Sequence, residues 1–110
     1  MILEIVRFDR PEGFSDADLL ADAQSTVAHW QANQDLIRKH FVTNGDEVMG
    51  VYIWPNRAAS EAAHDAAWQE MFKARTGVTP NIERYDMFME IDNVLGEVRE
   101  FAVQECVPES

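Results

Sequence analysis

The feature that most constrains the fold is a strand-like segment followed directly by a helix-like segment near the middle of the chain. Residues 48–54 are rich in β-branched and aromatic side chains, as strands are. Pro55-Asn56 interrupts this pattern, and the alanine-rich segment after it predicts a helix that ends at Gly77. At 100° per residue, one face of that helix carries Ala63, His64, Ala67, Trp68, Met71 and Ala74. Small residues beside large ones can leave a hollow, so we expect a ligand site on this face.

The remaining elements follow from the same kind of pattern. Strands are predicted over residues 2–8, 36–43, 47–54 and 82–91, and a first helix from Ser15 or Asp16 to about residue 33. Asn44-Gly45 is a strong signal for a two-residue hairpin turn, which would pair Thr43 with Asp46 and Ile37 with Tyr52. From residue 93 onward the apolar residues recur at helix-like spacing, which favours a short helix in the tail.

The element order β-α-β-β-α-β predicts a single α+β domain over residues 1–110 with a ferredoxin-like fold. In that fold, two helices cover one face of a four-stranded antiparallel sheet. The third strand nevertheless alternates apolar residues on both faces: Met49, Val51 and Ile53 on one, Val48, Tyr52 and Trp54 on the other. A sheet face in contact with water would be polar. We therefore expect a second copy of the chain to cover it in a homodimer.

Charge and composition exclude several classes of protein. The sequence has 20 acidic and 9 basic residues, a net charge of −11, which disfavours binding to nucleic acids and anionic membranes. No apolar run approaches the length of a membrane span, and the amino terminus lacks the pattern of a signal peptide. The single cysteine, Cys106, cannot form an intramolecular disulfide, which favours a reducing cytoplasm. The three histidines lie on different elements and there is no glycine-rich phosphate loop, so neither a metal nor a nucleotide cofactor is expected.

His64 is the candidate catalytic residue. A neutral imidazole near pH 7 can accept a proton from a phenol or dihydroxy-aromatic molecule, and the resulting anion reacts more readily with oxygen. The alternative is a core histidine satisfied by one hydrogen bond. Trp30 and Trp68, on the inner faces of the two helices, could stack on a flat ligand or simply fill the core.

Three strand residues are further candidates for substrate binding. The Tyr52 hydroxyl could orient a substrate oxygen, or could instead be buried with a backbone partner. Lys39 could stabilise an anionic intermediate if it points into the cavity, although such lysines are more often solvated edge residues. Tyr85 on the last strand is a weaker candidate.

Several of these segments also resemble a known family. They are GVYIW at residues 50–54, the alanine-rich helix after it, TPNIERYDMFMEIDN at residues 79–93, and the segment LIRK at residues 36–39. With the element order, they resemble the dimeric α+β barrel superfamily, and within it the YdhR-like group near the antibiotic-biosynthesis monooxygenases. The resemblance implies two sheets packed face to face in a dimer and a small-ligand cavity between helices and sheet. Better-studied members of the superfamily oxygenate electron-rich aromatic substrates with no metal and no flavin, whereas others degrade haem or isomerise lactones.

The sequence therefore predicts a cofactor-independent monooxygenase that acts on a small aromatic or conjugated molecule. Two alternatives use the same pocket. One is a non-catalytic protein that binds a small ligand, and the other is an isomerase or lyase in which His64 moves a proton without oxygen.

Overall fold

The computed structural model describes residues 1–103 and has the predicted ferredoxin-like α+β architecture. Four strands form one antiparallel sheet in the order β2-β3-β1-β4, with the helices on one face, and β5 and β6 form a separate two-stranded hairpin. The elements are β1 (Ile2–Asp9), α1 (Asp16–Ser25), α2 (Val27–Gln31), β2 (Arg38–Thr43), β3 (Glu47–Trp54), α3 (Arg57–Ala63), α4 (Ala66–Thr76), β4 (Asn81–Asp86), β5 (Met89–Asp92) and β6 (Glu97–Glu100).

The first predicted helix is two helices that meet at Thr26. Ser15 caps α1 as expected, in a reciprocal capping box with Asp18. At the other end, the Thr26 hydroxyl donates to the carbonyl of Ala23 at 2.7 Å. A threonine hydroxyl that bonds to the preceding turn competes with the regular backbone pattern, and α1 ends at this residue.

The second predicted helix is also interrupted, and the interruption falls at His64. His64 has φ −121° and ψ 51° and ends α3, while Asp65 begins α4 by accepting a hydrogen bond from the Trp68 backbone N–H at 2.9 Å. The face predicted for one continuous helix is therefore only partly correct. Met71 is 63% exposed, and Phe72 is the α4 residue that is buried. Gly77 ends α4 with φ +80°, as predicted.

The β2–β3 hairpin has a different register from the one predicted. Thr43 pairs with Val48, and Lys39, instead of Ile37, lies opposite Tyr52. The turn is longer because side chains hold it: the Thr43 hydroxyl donates to the Glu47 carbonyl at 2.9 Å, and Asn44 Oδ1 accepts from the Glu47 N–H at 3.1 Å. The shift is two residues, which preserves the face on which each side chain lies.

The fourth predicted strand stops at Asp86, and the chain then enters the β5–β6 hairpin. Residues 97–100 form a strand where a helix was expected, since Asp92 accepts hydrogen bonds from the N–H groups of Val94 and Leu95 and Gly96 adopts φ +70° in the turn. Cys106 and the rest of the predicted tail helix lie outside the described residues.

The two faces of the main sheet differ in how they are covered. The face under the helices contains the core, in which Ile2, Val6, Trp30, Tyr52 and Trp54 are buried. The opposite face carries Leu3, Ile5 and Val51, each only partly buried. Among residues 1–103, no helix is both long enough and apolar enough to cross a bilayer.

Candidate functional site

A cavity of about 310 Å³ lies between the main sheet and helices α1, α2 and α4. Its wall is mostly apolar and includes six aromatic rings, those of Phe8, Trp30, Phe41, Tyr52, Trp68 and Phe72. Trp30 meets Tyr52 edge to face with ring centroids 5.2 Å apart, and Trp68 stacks on Phe72 at 5.1 Å. Flat aromatic walls and a volume of this size suit a small aromatic ligand.

Lys39 brings an amine into this cavity from strand β2. Its Nζ lies 3.9 Å from the ring centroid of Phe41 and 4.5 Å from those of Trp30 and Tyr52. Burial is the main cause that lowers the pKa of Lys39 to about 7, and the positive charge of Arg75 lowers it further. Near neutral pH a large fraction of this amine is therefore unprotonated.

Tyr52 brings a hydroxyl to the same wall, and Gly50 makes room for it. A Cβ at Gly50 would lie 2.8 Å from Tyr52 Cε1 and 3.1 Å from its hydroxyl oxygen, so the ring lies directly over Gly50. Burial, together with the negative charge of Glu4, raises the pKa of Tyr52 well above its usual range. The hydroxyl consequently stays protonated and can donate a hydrogen bond to a ligand.

Arg75 and Asp22, on helices α4 and α1, also line the cavity and form an ion pair with each other. Each neutralises much of the other's charge. The apolar residues Leu20 and Met71 beside them are exposed, which places this pair near the open side of the cavity.

Behind the cavity wall, Glu4 forms the centre of a buried polar cluster. Its side chain is fully buried on β1, where Oε1 accepts a hydrogen bond from Trp54 Nε1 at 2.8 Å and Oε2 lies 3.1 Å from Arg84 Nη2. Arg84 Nε also donates to the Ser60 hydroxyl at 2.7 Å. Burial alone would raise the pKa of Glu4, but its contacts with His64, Ser60 and Trp54 lower it below its usual value.

His64 belongs to this cluster. Its Nδ1 lies 2.8 Å from Glu4 Oε1, and its Nε2 has no hydrogen-bond partner within residues 1–103. The ring is buried against Tyr52, Trp68 and Trp30, with centroids 4.6, 4.4 and 5.3 Å away. These three rings line the cavity, whereas His64 does not.

The structure thus brings four of the predicted residues to one cavity: Trp30, Lys39, Tyr52 and Trp68. His64 lies one layer behind them. Tyr85 is not at the cavity, because it pairs with Leu3 on the opposite face of the sheet and is 50% exposed.

The residues that sequence reasoning missed are Glu4, Ser60 and Arg84. The available signal was their position: Glu4 lies between Ile2 and Val6 on the inward face of β1, and Arg84 is directly opposite it on β4. A carboxylate in an apolar alternation of this kind indicates a buried partner. Within residues 1–103 no group of three or more histidine, cysteine, aspartate and glutamate side chains is arranged to hold a metal ion.

Comparisons with known proteins bear on the fold. No protein-family model and no curated protein matches the sequence. The structure is similar to that of a "putative antibiotic biosynthesis monooxygenase" from Deinococcus radiodurans, with a TM-score of 0.58 and 15% identity over 84% of this chain and 97% of that one. It is also similar to Rv0793 from Mycobacterium tuberculosis, with a TM-score of 0.60 and 11% identity over 84% of this chain and all of that one. At such identities the likeness establishes a shared fold.

Proposed function

We propose that this protein is a cofactor-independent monooxygenase, of the YdhR-like kind, that acts on a small aromatic or conjugated molecule. The observation that carries the proposal is the aromatic cavity, in which Lys39 and Tyr52 supply an amine and a hydroxyl at a mostly apolar wall. The name of the Deinococcus structure supports the reaction class.

In this reaction the substrate itself activates oxygen. A hydroxy-aromatic molecule that loses its phenolic proton becomes electron-rich enough to react with dioxygen. One oxygen atom enters the ring to give a quinone, and the other leaves as water with the two hydrogens of the substrate. Trp30 and Trp68 hold the ring, and the Tyr52 hydroxyl donates a hydrogen bond to the substrate oxygen.

Two side chains are candidates to accept the phenolic proton. Lys39 faces the cavity, so its unprotonated amine has direct access to a bound hydroxyl. His64 has a carboxylate behind Nδ1 and an Nε2 that no group of residues 1–103 occupies, the arrangement of a general base, but it reaches the cavity only if the Tyr52 or Trp68 ring moves.

Oxygen consumption without added cofactor, measured over a panel of hydroquinones and polycyclic phenols, tests the proposal. We expect uptake by the wild type and at least a tenfold loss in whichever of Lys39→Met and His64→Ala removes the base. Lys73→Met, an exposed lysine on α4, is the control. Absence of uptake across the panel would contradict oxygenation. In that case, a compound that binds and is recovered unchanged indicates a binding protein, and a product that is an isomer of the compound indicates an isomerase.

We also propose that the protein is a cytoplasmic homodimer. The open face of the main sheet is partly apolar, and the β5–β6 hairpin projects exposed Ile91, Val94, Leu95 and Val98. A second copy of the same sheet would cover both. Sedimentation at micromolar concentration should give a dimer, and a clean monomer would contradict this assignment. A charged substitution, Val51→Lys, should shift the protein toward monomer.

A further inference from the structure

The amine of Lys39 is unusual because nothing in the described chain partners it. Its Nζ has neither a hydrogen-bond acceptor nor a carboxylate within ion-pair distance among residues 1–103, and its neighbours are the rings of Trp30, Phe41 and Tyr52. A lysine held against rings but without a counter-ion loses much of the hydration that favours its charged form.

The charges around Lys39 do not compensate for that loss. Arg75 disfavours the ammonium form, while Asp22 and Glu4 favour it more weakly than burial opposes it. Asp22 is already paired with Arg75, and Glu4 with His64 and Arg84. The titratable and charged groups that face the amine from the surrounding elements are Glu4, Asp22, His29, Tyr52 and Arg75.

We propose that Lys39 is an amine nucleophile and that the cavity binds aromatic or conjugated aldehydes, which Lys39 converts reversibly to imines. The unprotonated Nζ attacks the carbonyl carbon, and a C–N bond forms as the carbonyl oxygen takes up a proton. Loss of that oxygen with both amine hydrogens, as one water, leaves the C=N bond. No oxidant or reductant takes part, so the inference does not depend on the oxygenation proposed above.

The cavity wall explains why the carbonyl compound is an aromatic one. A flat aldehyde can stack on Trp30 or Trp68 while its carbonyl carbon lies at Nζ, and the protonated Tyr52 hydroxyl can donate a hydrogen bond to the carbonyl oxygen. An aliphatic aldehyde of two carbons would make none of the stacking contacts.

The test is reductive trapping of the full-length protein under anaerobic conditions. The protein is incubated at pH 7 with benzaldehyde or 2-naphthaldehyde and sodium cyanoborohydride, and the alkylated sites are identified by peptide mass mapping. Lys39 and Lys73 are the two lysines of the sequence, so each molecule contains its own reference amine. An amine of pKa about 7 has roughly a thousandfold larger unprotonated fraction at pH 7 than an ordinary lysine, so we expect Lys39 to be labelled at least ~100-fold faster.

The pH dependence gives a second readout. Lys39 is already about half unprotonated at pH 7, so its unprotonated fraction can rise only about twofold by pH 9, and the preference for Lys39 over Lys73 should therefore fall as pH rises. Acetaldehyde should prefer Lys39 to Lys73 and to the amino-terminal amine of Met1 much less strongly than the aromatic aldehydes do. Lys39→Arg, which retains a cation, should abolish the fast site, and Lys73→Arg should not.

Equal labelling of the two lysines, or fast labelling in Lys39→Arg at any residue other than the amino-terminal amine of Met1, would overturn the proposal. If acetaldehyde and benzaldehyde label Lys39 with the same preference over Lys73, the assignment to aromatic aldehydes is wrong. If Lys39→Arg does not fold, the wild-type map still decides, because the comparison is made within one chain. Oxygen uptake is measured without aldehyde, so failure of one proposal is separate from failure of the other.

Discussion

Lys39 and His64 contact the same aromatic wall from opposite sides, and they differ in what accompanies them. His64 has the Glu4 carboxylate 2.8 Å from Nδ1 and is closed off from the cavity. Lys39 opens into the cavity, its amine lies against three rings, and no carboxylate of residues 1–103 is within ion-pair distance of it. A basic group with a buried carboxylate is held in place, and the pair joins the end of helix α3 to strand β1. A basic group without one is freer to exchange protons or to react with a ligand.

The largest expected effect comes from removing the carboxylate that accompanies His64. Glu4→Ala leaves the buried Trp54 and His64 and the partly buried Arg84 without their common partner, which should lower the free energy of unfolding by about 3–5 kcal/mol. Urea denaturation measures this loss. Glu61→Ala, which removes an exposed carboxylate paired with Arg57 on α3, is the control and should change stability far less. If the two variants behave alike, the Glu4 cluster does not hold the sheet together.

A smaller effect is expected at the wall that separates the two bases. Gly50→Ala places a methyl group 2.8 Å from Tyr52 Cε1, and the ring must move away from it. The overpacking should cost about 1–3 kcal/mol and weaken binding of any ligand that stacks on the wall. In a Tyr52→Leu background the same substitution should be nearly neutral, and the double-mutant cycle measures the coupling. If the losses of stability in Gly50→Ala and Tyr52→Leu simply add in the double variant, Gly50 does not serve to make room for the Tyr52 ring.

The smallest effect is the pH dependence of stability at Lys39. The folded chain releases the Lys39 proton near pH 7 and the unfolded chain near 10.5, so between these values the unfolded state binds more protons. The free energy of unfolding of the wild type should therefore rise by about 1–2 kcal/mol relative to that of Lys39→Met as pH rises from 7 to 10. The gain is smaller than a fully buried amine would give, because this amine faces an open cavity.

Paired denaturation curves at several pH values check this difference, with Lys73→Met as the matched control that shows none. If the stability difference between wild type and Lys39→Met does not change with pH, the three rings keep the amine protonated by cation–π attraction. The contrast between the two bases would then disappear.

Local chemistry made much of the fold predictable. The β3 bounds, the Ser15 cap and the Gly77 terminus each depend on residues within a few positions of one another, and all three were predicted from the sequence. The helix break at His64 was missed because Asp65 can be either an exposed helix residue or a cap, and tertiary packing decides between them.

The site was predictable only in part, for a similar reason. The inward faces of the helices and of β3 identified Trp30, Tyr52 and Trp68 as neighbours. The partner of His64 was not identified, since Glu4 is sixty positions away and reaches it only through the order of strands in the sheet. The same order places Tyr85 on the far face, which alternation within one strand does not reveal.

The turn between β2 and β3 has a consequence beyond its own geometry. A tight Asn44-Gly45 turn would slide β2 by two residues and keep every side chain on its face, but it would exchange the amine opposite Tyr52 for the butyl group of Ile37. The hydroxyl of Thr43, which itself lines the cavity, and the amide of Asn44 therefore help select which side chain of β2 lies opposite Tyr52 there. A substitution at Asn44, which does not line the cavity, offers evolution a way to switch that chemistry off while leaving every cavity-lining residue unchanged.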